Sequence, residues 1–234
     1  MKLLLRSNFS LFLIALFLIV GCEKEDAFKN PAAVVFNVGM NPQGTSVSDD
    51  LTFSDGYVII NQFTVIGERA VGEGFEFSRT FSNGLKIPFY NNLTFEDLSF
   101  ELPQGVYTNL KVRFETANSS TPNLFVEGDY IYNNPIKPPS TVHLAWNTPK
   151  TFEVSVLSSS GSNELTLSEI KKELPQIIFQ PKLWFTNVTE LMFENASFLT
   201  LPSQEQIITI DPITNTTIFT EIDSKVGLEL KCPL

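Results

Sequence analysis

Cysteine and histidine are the side chains with the most versatile chemistry in this sequence, and the chain has only Cys22, Cys232 and His143. A histidine-based zinc site or a Ser-His-Asp triad would have to use His143. Its neighbours Val142 and Leu144 are apolar, so the alternation predicts that His143 is an outward-facing, structural residue of a β-strand. Cys232 and His143 carry no local signature of cysteine–histidine catalysis.

Cys232 ends a segment in which apolar residues alternate with other types. Val226, Leu228 and Leu230 precede it at spacings of two, which is the period of a β-strand. We therefore expect Cys232 to be a small apolar residue on a buried strand face rather than a reactive thiol.

Carboxylates are abundant, but no spacing singles out a site. The 26 Asp and Glu residues are enough for a glycosidase-type pair, yet no two of them stand out. Asp49, Asp50 and Asp55 cluster without the spacing of an EF-hand, which favours a solvated loop over a calcium site. Residues 67–74 (GERAVGEG) lack the Lys-Ser/Thr of a phosphate loop and indicate a hairpin turn. The sequence therefore predicts no catalytic, cofactor-binding or metal-binding residues.

The first 22 residues have the organisation of an export signal. Lys2 and Arg6 precede an uncharged apolar run at residues 11–20, which is too short to span a bilayer and has the length of a secretory h-region. Gly21 and Cys22 follow. This arrangement resembles the lipobox of bacterial lipoproteins, which implies cleavage before Cys22, acylation of that cysteine and firm attachment to a membrane. An ordinary signal peptide with a chance cysteine and an uncleaved anchor are the alternatives.

The residues after the cysteine bear on where such a lipoprotein is displayed. Lys24, Glu25 and Asp26 resemble the surface-export signal of lipoproteins in the Bacteroidetes. The resemblance implies a protein of the outer membrane that is exposed at the cell surface. The alternative is a solvated charged tether on a domain that faces the periplasm.

The net charge of the chain limits the classes of molecule that it can bind. Loss of residues 1–21 removes two positive charges, so the formal net charge falls from −10 to −12. A field of this sign repels nucleic acids and anionic lipids, which we exclude as partners. The expected partners are the membrane, through the lipid on Cys22, and a glycan or protein ligand.

The body of the chain reads as one β-rich domain. Residues 22–32 are predicted to be an acidic tether, and residues 33–234 a single antiparallel β-sandwich of Ig-like or transthyretin-like type. Short runs of β-branched and aromatic residues alternate with turn signals at 41–44, 54–56, 82–84 and 103–105. The predicted strands are residues 34–38, 57–66, 75–81, 85–89, 98–102, 107–116, 124–132, 142–146, 152–157, 164–167 and 177–180.

The spacing of apolar residues also predicts which side chains face the core and where two helices lie. Leu110, Val112 and Phe114 are predicted to face the core, with the charged residues between them facing solvent. Helical spacing predicts one short helix at residues 187–194, with Asn187 as its N-cap and Trp184 packed on the same apolar side. A second helix contains Ile218 and Ile222 and ends near Gly227.

Two stretches carry a family resemblance. Residues 101–115 (ELPQGVYTNLKVRFE) resemble a strand-turn-strand of β-sandwich lipoproteins with a domain of unknown function, the DUF4382-like group. Residues 181–188 (PKLWFTNV), with Leu191 and Asn195-Ala196, are similar to a segment of uncharacterised Bacteroidetes lipoproteins. The resemblance implies an exported β-sandwich and transfers no catalytic residue.

These observations favour a surface-anchored lipoprotein with a non-catalytic binding or structural domain and no cofactor. The alternatives are an extracellular polysaccharide hydrolase that uses a carboxylate pair and a fimbrial or adhesin subunit. For a sugar-binding role, Tyr90, Tyr130, Tyr132 and Trp146 are the candidate stacking residues because they lie near predicted strand ends. Aromatic residues more commonly fill the core of a sandwich.

Replacement of Cys22 tests the anchor. Cys22→Ala removes the thiol that would be acylated, so we expect the protein to leave the membrane fraction. Mass spectrometry of the native protein should find an N-terminal, lipid-modified Cys22. An unmodified N-terminus at another residue would contradict the prediction.

Overall fold

The computed structural model of the chain describes residues 30–41, 50–89, 96–118 and 121–234. Cys22 and the export residues Lys24, Glu25 and Asp26 lie outside these ranges, as do Asp49 and Tyr90. The predictions that concern them remain predictions.

The described residues form fourteen strands and three short helices, together with a 3₁₀ turn at Glu96–Leu98. The strands are β1 (Ala32–Val35), β2 (Asn37–Met40), β3 (Leu51–Arg69), β4 (Phe75–Pro88), β5 (Ser99–Leu102), β6 (Gly105–Thr116), β7 (Leu124–Tyr130), β8 (Ser140–Trp146), β9 (Thr151–Leu157), β10 (Leu165–Leu167), β11 (Gln176–Phe179), β12 (Leu199–Thr200), β13 (Gln206–Ile210) and β14 (Cys232–Pro233). The helices are α1 (Pro181–Trp184), α2 (Glu190–Glu194) and α3 (Thr216–Asp223).

Strand β3 is the spine of a ten-stranded sheet. It pairs with β4 along one edge, and along the other edge with β7 through residues 51–58 and then with β6 through residues 60–69. From β7 the sheet continues through β8 and β13 to β12, and from β6 it continues through β9 to β14, with β10 also paired to β6. Pairing is mainly antiparallel, as predicted, although β13–β8 and β14–β9 are parallel.

Two small sheets, β1–β5 and β2–β11, cover one face of the large sheet. Aromatic rings join the layers: Phe63 of β3 lies 5.3 Å from Phe36 and 5.7 Å from Phe100, measured between ring centroids. Phe114 of β6 lies 5.0 Å from Phe152, and both meet Phe179 edge-on. The chain is thus a mainly β, sandwich-like domain with an aromatic core.

The strand face predicted for residues 110–114 is confirmed. Leu110, Val112 and Phe114 are buried. Lys111 and Arg113 lie on the opposite face, where they form ion pairs with Glu153 and Glu76. These pairs are partly exposed, so each contributes at most about 1 kcal/mol to stability.

Two predicted turns are wrong, because the chain continues as a strand through both. Residues 54–56 lie within β3 at a register shift, and a Cβ on Gly56 would lie only 2.6 Å from the carbonyl oxygen of Phe125. Residues 82–84 lie within β4, where the pairing with β3 is interrupted between Thr80 and Leu85. In both places the glycine serves a bulge rather than a reversal of the chain.

The helices differ from prediction at their ends. Thr189, rather than Asn187, is the N-cap of α2, since its Oγ1 accepts a hydrogen bond from the Met192 amide. Helix α3 buries Ile218 and Ile222 as predicted but ends at Asp223. Helix α1 was not predicted, so residues 181–223 contain three helices where the sequence indicated two.

Trp184, in α1, is buried as predicted and packs at the seam between the helices and the sheet. Its ring meets Trp146 of β8 edge-on at 5.9 Å. Trp146 Nε1 donates a 2.7 Å hydrogen bond to Asp223 at the end of α3, and Lys150 reaches the same carboxylate at 2.6 Å. One tryptophan pair therefore connects two helices to β8.

Truncation of Trp184 should destabilise the domain. Removal of a buried tryptophan typically costs about 3–5 kcal/mol, which in a domain of this size lowers Tm by roughly 10 °C. We expect that loss in Trp184→Ala, measured by circular dichroism. The control is Phe198→Ala, whose ring is exposed. Equal Tm values in the two variants would contradict a structural role for Trp184.

Candidate functional site

The aromatic residues first considered for sugar stacking are part of the core. Tyr130, Tyr132 and Trp146 are buried. Tyr130 stacks on Phe193 of α2 at 3.9 Å, which leaves that face of its ring covered. Burial raises the pKa of Tyr130 to about 12, and nearby carboxylates add to the effect. The prediction that these three rings form a stacking platform for a sugar is therefore wrong.

His143 points outward from β8, as predicted, but it is half-buried rather than exposed. Its Nε2 lies 3.0 Å from Oε2 of Glu127 on the neighbouring strand. Its ring meets Phe125 edge-on, and Phe125 stacks on Tyr57. These side chains form a cross-strand row on the outer face of the sheet, which favours the structural interpretation of His143.

The structure also bears on the metal and thiol predictions. Within the described residues there is no group of three or more His, Cys, Asp or Glu side chains that could hold a metal ion. Asp55 accepts a hydrogen bond from the Gly56 amide at the bulge of β3. Cys232 is buried on β14, as predicted, and burial raises the pKa of its thiol to about 12.

An open groove of about 590 Å³ lies between β4 and β5, and we call it the seam groove. Within the described part of the chain, β4 pairs only with β3 and β5 only with β1, so two strand edges face each other across it. Its lining combines aromatic, cationic, acidic and hydroxyl groups. The lining residues are Phe77, Ser78, Arg79, Glu96, Ser99, Phe100 and Glu101.

The groove exists because the second layer covers the inner face of β4 incompletely. Phe77 pairs directly with Val65 of β3, and Arg79 with Phe63, so these side chains share the face that is buried on β3. Phe100 of β5 covers Phe63, whereas Phe77 remains 41% exposed. Phe75 stacks on Phe77 at 4.8 Å and supports its ring from one side. An aromatic ring thus lies at the surface with a second ring stacked on one side of it.

Arg79 connects the two edges of the groove. Its guanidinium donates hydrogen bonds to the carbonyl oxygens of Asp97, at 2.5 Å, and Ser99, at 3.0 Å. It also lies 5.0 Å above the ring of Phe100. A charged side chain that points inward from an edge strand protects that edge against pairing with another strand. The arrangement suits recognition of a ligand by side chains better than addition of a β-strand.

Sequence reasoning missed this site because residues 75–81 (FEFSRTF) read as an ordinary half-buried strand. The one available signal was Arg79, a charge at a position where the alternation calls for an apolar residue. Exposure of Phe77 depends on how far β5 extends, which no local pattern encodes.

No protein-family model, curated protein or solved structure matches the chain. None of the helices in the described residues is long and apolar enough to cross a membrane.

Proposed function

We propose that the chain is a lipoprotein of the outer membrane, anchored through Cys22 and displayed at the cell surface, whose β-sandwich binds a glycan without catalysing a reaction. The export signal and lipobox in the sequence support the anchor. The partly exposed ring of Phe77 in the seam groove is the observation that carries the binding role.

The groove has the chemistry that a sugar chain requires. The C–H face of a sugar ring is apolar and packs on an aromatic face such as that of Phe77, while its hydroxyls need donors and acceptors at the rim. Carboxylates of Glu96 and Glu101 supply acceptors, and the hydroxyls of Ser78 and Ser99 supply both donors and acceptors. The volume lies within the range of about 300–1,000 Å³ that is usual for ligand sites.

Truncation of Phe77 tests the binding role. With soluble glucans, xylans and mannans as probes, we expect at least one to bind in calorimetry. Phe77→Ala should weaken that binding about tenfold, equivalent to about 1.4 kcal/mol of lost stacking. Phe198→Ala is the matched control, because it removes an exposed phenylalanine outside the groove. Equal affinities in both variants would contradict the proposed site.

A polysaccharide hydrolase is the second candidate, because two carboxylates, Glu96 and Glu101, line the same groove. Both residues are exposed. A catalytic acid is usually held in apolar surroundings, so this exposure favours binding. Release of reducing ends from a bound glycan, lost in Glu101→Gln while affinity is kept, would establish the hydrolase instead.

Surface display is tested on intact cells. External protease should remove the native protein, because the charged residues after Cys22 would direct it to the outer leaflet. Replacement of Lys24, Glu25 and Asp26 by alanine should protect the protein while leaving it in the membrane fraction. Protection of the native protein would show that the domain faces the periplasm.

A further inference from the structure

Three loops meet at the end of the sandwich where the described chain begins. Gln104, in the turn between β5 and β6, donates a 2.5 Å hydrogen bond to the carbonyl oxygen of Asn30. The side-chain Nδ2 of Asn30 donates a 2.6 Å hydrogen bond to the carboxylate of Glu169, just after β10. The tip of the β3–β4 hairpin joins them, since the Ala70 amide donates to the Val106 carbonyl oxygen at 2.8 Å. We call this region, residues 70–74, 103–106 and 168–172, the anchor-proximal end.

Aliphatic side chains project into solvent from each of these loops. Val71 at the hairpin tip is 83% exposed, Val106 is 41% exposed and Ile170 is 92% exposed. A pocket of about 390 Å³ lies between the hairpin tip and the β5–β6 turn, and Val71 and Val106 both line it. Isolated exposed aliphatic residues are common, but three at the same end of the domain, two of which line one pocket, mark a candidate interaction surface.

Covalent geometry limits where this end of the domain can be. Eight residues separate Cys22 from Asn30, and a chain spans at most about 3.6 Å per residue, so Asn30 lies within about 29 Å of the acylated cysteine in any conformation. Strand β3 leads from Leu51 to the hairpin of this region, and its 19 residues have a contour length of about 60 Å at about 3.3 Å per residue. The tether therefore keeps Asn30, and the loops hydrogen-bonded to it, within reach of the bilayer, whereas it sets no such limit for the start of β3.

The local charge is compatible with a lipid surface although the whole chain is acidic. Arg69, Lys171 and Lys172 lie in or beside the three loops and partly offset the four acids there, which are Glu68, Glu73, Glu169 and Glu173. Lysine and arginine side chains next to apolar residues extend their stems along the apolar region and keep their charges at the headgroups. A surface of zwitterionic lipids has no net charge and would not repel this end of the domain.

We propose that the anchor-proximal end docks on the bilayer in which Cys22 is anchored, with Val71 and Ile170 inserted at the boundary between headgroups and acyl chains. The proposal rests on the lipid anchor of the proposed function. Docking would turn a domain on a tether into one with a defined orientation. Because the tether keeps the local concentration of lipid high, even a weak affinity of the loops for the bilayer is enough to keep them docked.

Tryptophan substitutions measure the insertion directly. Residues 22–234 are coupled through Cys22 to a maleimide-bearing lipid in phosphatidylcholine vesicles. Cys232 does not compete for the maleimide, because its thiol is buried and burial raises its pKa to about 12.

Val71→Trp and Ile170→Trp report on the docking loops. Ile136→Trp is the matched control, since Ile136 is 89% exposed and lies in the β7–β8 connection, where Tyr130 of β7 pairs with Leu51 at the start of β3. The native Trp146 and Trp184 are buried and give a constant background.

Emission of Val71→Trp and Ile170→Trp should shift to the blue on coupling. Brominated phosphatidylcholine should quench it about twofold, because interfacial side chains sit about 5–10 Å into the headgroup region. Ile136→Trp should show neither effect. Equal quenching at all three sites, or at none, overturns the proposal. A blue shift that grows with protein density and is insensitive to bromine assigns the surface to a second copy of the chain and also overturns it.

Chemical coupling separates this test from the test of the anchor. If Cys22 proves to be unmodified in cells while the vesicle result is positive, the proposed function fails and the lipid affinity of the loops stands. If Cys22 is acylated and the vesicle result is negative, only the docking proposal fails.

Discussion

The architecture depends on one constraint, which is that β3 is longer than any strand available to pair with it. Its 19 residues need hydrogen-bond partners along both edges, because buried backbone groups must be satisfied. Strand β7 pairs with the first part of one edge and β6 with the second; the partner changes between residues 58 and 60, and a register shift follows between residues 60 and 62. The glycine at position 56 allows a similarly close approach of β7. A single bulged strand thereby joins what would otherwise be two sheets.

The seam groove follows from the same constraint. Strand β4 accompanies β3 over residues 57–67, whereas the covering layer on that side ends with the four residues of β5. Phe100 of β5 reaches Phe63 and fills the core, whereas Phe77 is covered on one side by Phe75 of its own strand and stays 41% exposed. Stability comes from the fully buried rings around Phe114, so the uncovered ring of Phe77 is available for a ligand at little cost to the fold.

Local patterns predicted those features that one element decides by itself. Alternation placed Leu110, Val112 and Phe114 inside, and it placed Cys232 on a buried face, because a strand exposes successive side chains to opposite sides. The same reasoning failed at residues 54–56 and 82–84. Gly, Asn, Asp and Ser favour a turn and a bulge alike, and the neighbouring strand decides between them. Tyr130 and Trp146 do lie at strand ends, as predicted, yet rings from the helices cover both of them.

The sequence by itself determined the strand faces, the mainly β class and the export prediction, since each depends on contiguous residues and short-range chemistry. Tertiary structure alone decided which aromatic ring stays exposed and which loops gather around Asn30. Val71, Val106 and Ile170 are separated by up to about a hundred positions in the sequence and become neighbours only because β6 pairs with both β3 and β10. Proximity of that kind arises from hydrogen bonding between distant strands, which a linear pattern does not record.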